Sequence, residues 1–172
     1  MASKPPNATR LYEAALNHVA RYAATEASLA RVLARRIDRW AQEQEDAEDA
    51  VRTAKAAIPG VLARLKEQGV LNDDAFAASR AKRLTRAGKS RRATLAHLAA
   101  KGVRNAALPD DPERELAAAC AYLRRRRAGP FGEAPELKIL AAMARGGFSQ
   151  ATARRALALD REEAEALINT LP

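Results

Sequence analysis

The sequence has few of the residues that build disulfide frameworks, metal centres and β-sheets. It contains one cysteine, Cys120, which excludes a disulfide or a multi-cysteine zinc site within the chain. Aromatic residues make up 4% of the chain, and no run alternates β-branched or aromatic residues with polar ones, so we predict no strand. None of the eight glycines lies in a GxGxxG or GxxxxGK[ST] loop, so nucleotide binding has no support.

Long hydrophobic runs are absent as well. No stretch approaches the roughly 20 apolar residues that a membrane span requires, and the N-terminal MASKPPNATR lacks the apolar core of a signal peptide. We therefore expect a cytoplasmic protein with no membrane partner.

Residues that could suggest catalysis or metal binding have simpler explanations. His18 and His97 have no second ligand or base nearby in the sequence, which favours surface or packing roles. Asp73 and Asp74 diverge by about 100° on a helix, so helix capping explains them better than a metal pair. We predict no catalytic residue, no metal and no cofactor, and hence no enzyme.

The residues that are abundant favour helices. Hydrophobic residues make up 48% of the chain and are mostly alanine and leucine. Thr25 is expected to cap a helix whose apolar stripe is Leu29, Leu33 and Ile37. Residues 40–56, acidic first and basic later, fit either a helix or a solvated insertion; their alanine, glutamate and glutamine favour a helix. A further helix is predicted to start at Pro59.

Glycines are predicted to end several helices. A hydrophobic residue followed four positions later by glycine, and then by another hydrophobic residue, is typical of the Schellman motif. The sequence contains this pattern at Leu65/Gly69/Val70, Leu98/Gly102/Val103 and Met143/Gly147/Phe148. New helices are then expected after the caps Asn72 or Asp73, Ser90, Asp111 and Ser149.

These patterns predict an all-α protein made of three tandem three-helix repeats, because stacked repeats bury faces that one unit cannot bury alone. The expected boundaries are a disordered tail at 1–9, a first repeat at 10–70 with an acidic insertion at 40–56, a basic second repeat at 71–108 and a third repeat at 109–172.

Positive charge is concentrated in the middle of the chain. The formal net charge is +9, and residues 58–108, with eleven Lys or Arg and three Asp or Glu, carry +8 of it. Such clustering indicates a polyanionic partner, either nucleic acid or an acidic protein surface. The candidate partner-binding cations are Arg31, Arg35, Arg36, Lys82, Arg83, Arg86, Lys89, Arg91, Arg92, Lys101, Arg124, Arg125, Arg126 and Arg127.

Several residues, not all of them in this list, can be interpreted in more than one way. Arg124 to Arg127 fit a solvated helix end, which the helix dipole favours, and whether they also contact a partner is open. Arg80 falls on the apolar side of its helix, where its stem can lie along the apolar surface. Tyr22 and Trp40 could stack on bases, but we favour core anchoring for both.

The ordered set of motifs resembles the RecX family of bacterial regulatory proteins. The resemblance rests on LKEQGVLNDDAFA, the basic helix after it, GKSRRATLAHLAAKGV and ELKILAAMARGGFSQATARRAL, and it extends from about Leu11 to Leu157. Thr94 stands where the family more often has Ile or Val, and the acidic run at 42–49 is not a family feature.

The resemblance implies an elongated, curved array of the three repeats. It also implies that the protein binds the RecA recombinase and its filament on single-stranded DNA, inhibits ATP hydrolysis and strand exchange, and so acts in homologous recombination, DNA repair and the SOS response. Weaker binding to double-stranded DNA and a monomeric state are expected.

The alternative is an autonomous helix-turn-helix DNA-binding protein, since residues 74–101 read as two short helices and a turn. Against it, the second of these helices lacks the Asn or Gln that read bases.

Overall fold

The computed structural model describes residues 5–172, and in this range the chain forms nine α-helices and one short 3-10 helix, with no strand. The helices are α1 (Ala8–Val19), α2 (Glu26–Ala41), α3 (Glu48–Glu67), α4 (Asp73–Arg86), α5 (Arg91–Ala100), α6 (Pro112–Arg126), the 3-10 helix (Gly129–Phe131), α7 (Glu136–Arg145), α8 (Gln150–Ala158) and α9 (Arg161–Asn169). The all-α prediction is confirmed. The three repeats and their elongated arrangement stay predictions.

Most helix starts are set by local side-chain caps. Thr25, Asp111 and Ser149 cap α2, α6 and α8, as predicted, because a side-chain oxygen accepts from a free N–H of the opening turn. Asn72, rather than Asp73, caps α4 by accepting from the N–H of Ala75 at 2.9 Å. The predicted tail at 1–9 lies partly outside the described residues, and α1 already begins at Ala8.

The predicted Schellman geometry is present at two helix ends in full. The N–H of Val70 donates to Leu65 O at 3.0 Å, and the N–H of Phe148 donates to Met143 O at 3.1 Å. The glycine before each of them makes the second, shorter-range bond of the motif. These two glycines therefore end helices.

The acidic segment differs from its prediction. Residues 42–47 are not helical, but α3 starts at Glu48, so Pro59 lies inside a helix and the predicted start at Pro59 is wrong. An internal proline leaves the carbonyl four residues earlier without its helical donor. Here that carbonyl belongs to Lys55, and Lys55 and Pro59 are both exposed residues. Burial of apolar residues on both sides of Pro59 keeps the helix continuous.

The chain divides into two compact units, and the boundary falls within α4. The first unit comprises the described residues up to Phe76 together with Lys101–Val103. Its core is formed by α1, α2 and α3, and the predicted stripe of Leu29, Leu33 and Ile37 is fully buried in it.

The second unit comprises Ala77–Ala100 and Arg104–Pro172, and helix α6 lies at its centre. Residues 116–121 and Leu123 of α6 are all buried, because α8 and α9 both pack against this helix. Small side chains on nearly every side of α6 allow these close approaches. The core also contains Ile139 and Met143 of α7.

Candidate nucleic-acid and partner interface

Helix α4 presents its cations to solvent because its small residues are buried. Ala77, Ala81 and Thr85 are buried along one side of the helix. Lys82, Arg83 and Arg86, on the other side, are exposed, as the sequence predicted. We call these three cations the α4 face.

Arg80 lies on the buried side of α4, also as predicted, and it has an internal partner. Its Nε–H donates to Nε2 of His97 on α5 at 3.0 Å. This bond links the two basic helices through partly buried side chains.

The turn between α4 and α5 is held tightly against the rest of the second unit. Gly88 adopts a φ of +71°, and a Cβ at this position would lie 2.5 Å from the backbone nitrogen of Tyr122 on α6. The fully buried Ser90 accepts from the N–H of Ala93, which caps α5, and donates to the carbonyl of Gly146 at 2.7 Å. The turn is therefore fixed both on α6 and on the α7–α8 connection.

Arg91 has an internal structural role. Its Nε–H donates to the carbonyls of Leu108 and Pro109 at 3.0 and 3.2 Å, and its backbone N–H donates to Glu115 at 2.8 Å. Burial raises the pKa of the Glu115 carboxyl, while the hydrogen bond and charge of Arg91 act in the opposite direction. Arg91 is also partly buried, whereas Lys89 and Arg92 on either side of it are exposed, so Arg91 has less capacity for an external partner than these neighbours.

The four arginines at the end of α6 have different surroundings. Arg124 forms an ion pair with Glu165 at 2.9 Å, and Arg125 donates to the carbonyl of Ala87 at 2.9 Å. Arg126 stacks over the Tyr122 ring, with its Cζ 4.7 Å from the ring centroid. Arg127 is exposed at a φ of +51°. The four arginines therefore form neither a single solvated helix end nor a single contact surface.

Two further cations border the connection between α7 and α8. A Cβ on Gly147 would lie 3.2 Å from Nε of Arg92, so the Arg92 side chain runs along this connection. Arg145, at the end of α7, is exposed directly before it. Sequence reasoning missed Arg145, because the glycines after it were interpreted only as a helix end.

Five exposed cations from three separate chain segments therefore surround one fixed set of turns in the second unit. They are Lys89, Arg92, Arg125, Arg126 and Arg145, and we call them the turn patch. The ion pairs formed by residues 5–172 use Arg52, Lys55, Lys66 and Arg124, and no member of the turn patch.

The first unit carries a separate group of cations on α2. Arg31, Arg35 and Arg36 are exposed on the side away from the buried stripe. Arg31 and Arg35 donate to the carbonyls of Ala27 and Arg31, four residues earlier. Lys101 is also exposed, and its carbonyl accepts from the Thr25 hydroxyl at the start of α2.

The acidic pair Asp73–Asp74 forms the start of α4, and Asp73 also contributes to the start of α2. Asp73 accepts from the backbone N–H of Glu26 at 2.9 Å, and the Glu26 side chain pairs with Lys66 at 2.8 Å. The hydrogen bond from Lys66 to Glu26 raises the pKa of Lys66. Asp73 thus caps a helix distant in sequence, which the sequence alone did not indicate.

The two aromatic residues that were open to two interpretations differ from each other. Tyr22 is 61% exposed, so core anchoring is the wrong interpretation for this residue. Trp40 is partly buried. Tyr22 lies three residues beyond the end of α1 at Val19, so the helical spacing that buries Leu11 and Ala15 does not place Tyr22 in the core.

The fold and these surfaces define an all-helical protein with cations gathered on exposed helix faces and turns. Within residues 5–172 no cluster of three or more His, Cys, Asp or Glu is placed to hold a metal ion, and no described helix is long and apolar enough to cross a membrane.

Comparison with known proteins assigns this protein to a family. The sequence is 35% identical over 161 residues to the "Regulatory protein RecX" of Myxococcus xanthus (strain DK1622), covering 87% of this chain and 84% of that protein. The chain belongs to the RecX family of regulatory proteins, as its motifs indicated. No family model matches the sequence, and no solved structure matches it.

Proposed function

We propose that the protein binds the RecA recombinase and its filament on single-stranded DNA, and that it lowers ATP hydrolysis and strand exchange by the filament. Membership of the RecX family supports the recombinase as partner. The turn patch is the observation that supports contact with DNA, because five cations without acidic partners among the described residues lie around one rigid set of turns.

The geometry of the turn patch suits phosphate groups. The planar guanidinium of arginine matches phosphate oxygens, but a free arginine loses about 2 kcal/mol of rotamer entropy when it is fixed. Arg125 is already held by the Ala87 carbonyl and Arg126 by the Tyr122 ring. Less entropy therefore remains to be lost on binding, which favours affinity.

The α4 face supplies a second contact, either to DNA phosphates or to acidic side chains of the recombinase. Salt dependence separates these two partners. If all five cations of the turn patch neutralise phosphates, binding to single strands alone should fall with salt at a log–log slope of roughly −3.5, since each contact contributes about −0.7. Between 50 and 200 mM salt this slope corresponds to a loss of roughly a hundredfold in affinity.

The deciding experiment is an ATPase assay of RecA on single-stranded DNA with this protein titrated in. One triple variant, the α4-face variant, replaces Lys82, Arg83 and Arg86 with glutamate. A second, the turn-patch variant, replaces Arg92, Arg126 and Arg145 with glutamate. A control with the same change in charge replaces Lys138, Arg154 and Arg161, which are exposed in the second unit outside both surfaces. Helicity and thermal unfolding are measured for all three.

We expect both test variants to lose inhibition and the control to retain it. The turn-patch variant should also lose binding to naked single strands and show a shallower salt slope. The α4-face variant should lose DNA binding only if that face contacts phosphates. A wild-type protein that leaves the RecA ATPase unchanged would refute the proposed function; folded test variants that inhibit like wild type would refute these surfaces.

A helix-turn-helix mode of DNA reading is less well supported. The exposed positions of α5 are Arg92, Ala96, Ala99 and Ala100, and the other candidate reader, His97, is engaged by Arg80. One arginine among alanines offers little hydrogen bonding to base edges. We therefore expect sequence-independent DNA binding, and no ATP or DNA hydrolysis by the purified protein.

A further inference from the structure

The end of helix α1 carries an aromatic ring that the first core does not use. The chain has three tyrosines, and the faces of two of them are occupied by protein groups. Arg64 lies 4.3 Å from the ring centroid of Tyr12, and Arg126 lies 4.7 Å from that of Tyr122. Among the described residues these are the two cation–π contacts, and Tyr22, which is 61% exposed, has neither.

The position of the Tyr22 ring is well defined even though the ring is exposed. The backbone N–H of Tyr22 donates to the carbonyl of His18 at 2.9 Å, which extends the last turn of α1. The His18 ring packs against the Tyr22 ring, with centroids 5.2 Å apart and planes tilted by 41°. A ring supported in this way loses little freedom when a ligand stacks on its open face.

The chain segment that carries this ring, between Ala14 and Thr25, has one formally positive side chain, Arg21. Arg21, directly before Tyr22, is exposed, and its backbone N–H also donates to the His18 carbonyl, at 3.1 Å. The sequence has no Asp or Glu between Ala14 and Thr25. An aromatic face next to an arginine and away from local acids is the combination that binds unpaired nucleotides, by stacking on the base and pairing with the phosphate.

We propose that Tyr22, supported by His18, is a stacking site for an unpaired base of single-stranded DNA, and that Arg21 contacts a neighbouring phosphate. This inference rests on the proposed function and deepens it, because it adds a contact in the first unit that recognises bases rather than phosphates. Bases in a duplex are already stacked on each other, so the site favours single strands. Stacking on a ring face requires no particular base, so the site is indifferent to sequence.

The test compares Tyr22→Leu, which removes the ring, with Tyr22→Phe, which keeps it. Fluorescence anisotropy measures the binding of each protein to an oligo-dT strand and to an abasic strand with the same number of phosphates. Leu137→Ala serves as a control for the loss of exposed apolar surface, since Leu137 is 83% exposed in the second unit.

We expect Tyr22→Leu to bind oligo-dT at least roughly fivefold more weakly than wild type. A roughly fivefold loss of affinity is the lower limit for removing one base–aromatic stack. Tyr22→Phe and Leu137→Ala should bind it like wild type. On the abasic strand all four proteins should bind equally. The salt slope of Tyr22→Leu should equal that of wild type, because no phosphate contact is lost.

Equal binding of oligo-dT by Tyr22→Leu and wild type would overturn the inference. An equal loss of affinity of Tyr22→Leu for oligo-dT and for the abasic strand would also overturn it. Weaker filament inhibition with unchanged DNA affinity would overturn it as well, because Tyr22 would then contact protein. These outcomes leave the proposed function intact when wild type inhibits the RecA ATPase. The turn-patch variant tests that function separately, through its changed salt slope.

Discussion

Replacing Thr94 with valine is expected to stabilise the protein, because the threonine hydroxyl is buried without a partner. Thr94 is fully buried on α5, and its Oγ1 makes no hydrogen bond. A buried polar group without a partner costs about 1–3 kcal/mol of stability, and valine fills the same space without this cost. The two residues have similar helix propensities, so the backbone contribution nearly cancels. We expect a gain of about 1 kcal/mol.

Urea unfolding followed by circular dichroism measures this effect. With a slope of about 2 kcal/mol per molar urea, the midpoint should rise by roughly 0.5 M. Thr85→Val is the matched control, since Thr85 is also buried in the second unit but its hydroxyl donates to the Ala81 carbonyl at 2.9 Å. That control should lose about 0.5–1.5 kcal/mol. An equal loss in both variants would show that the Thr94 hydroxyl has a partner and would refute the reasoning.

Three further changes test the packing of the second unit by the same measurement. Leu98→Ala should cost roughly 2–5 kcal/mol, because Leu98 is 1% exposed and a cavity remains; a change within about 0.5 kcal/mol would contradict this burial. Gly88→Ala should cost roughly 1–3 kcal/mol from its left-handed backbone alone, with additional loss from the contact with Tyr122, whereas unchanged stability would mean that the turn relaxes. The stability of Glu115→Gln relative to that of wild type should be higher at pH 7 than at pH 4. Burial raises the pKa of Glu115, so the folded protein binds this proton more tightly than the unfolded chain and loses stability as pH rises from about 4.5 through the folded pKa. A stability difference that does not vary with pH would refute this sign.

Local patterns allowed much of the fold to be predicted. The caps Thr25, Asp111 and Ser149 and the buried stripe of α2 are where the sequence placed them. Capping and helical periodicity depend on residues within one or two turns, so a short stretch of sequence contains the necessary information. The outward direction of the α4 face was predictable for the same reason.

The candidate site was less predictable because its cations come together through packing. Nothing near Arg145 in the sequence indicates that its turn lies beside Ser90 and Arg92. The different surroundings of Arg124, Arg125 and Arg126 likewise depend on partners about 40 residues away or on a ring that α6 itself presents.

The sequence by itself determined the helical class, most helix ends, the concentration of positive charge and the resemblance to the RecX family. Each of these depends on residue type and short spacing, and the family assignment is supported by comparison with a known relative. Only the tertiary structure decided that Pro59 lies within α3, that Tyr22 faces solvent and that Arg91 holds an internal loop. Contacts beyond the local sequence decide these cases. Burial of the apolar residues on both sides of Pro59 keeps α3 continuous, and the carbonyls of Leu108 and Pro109 hold Arg91.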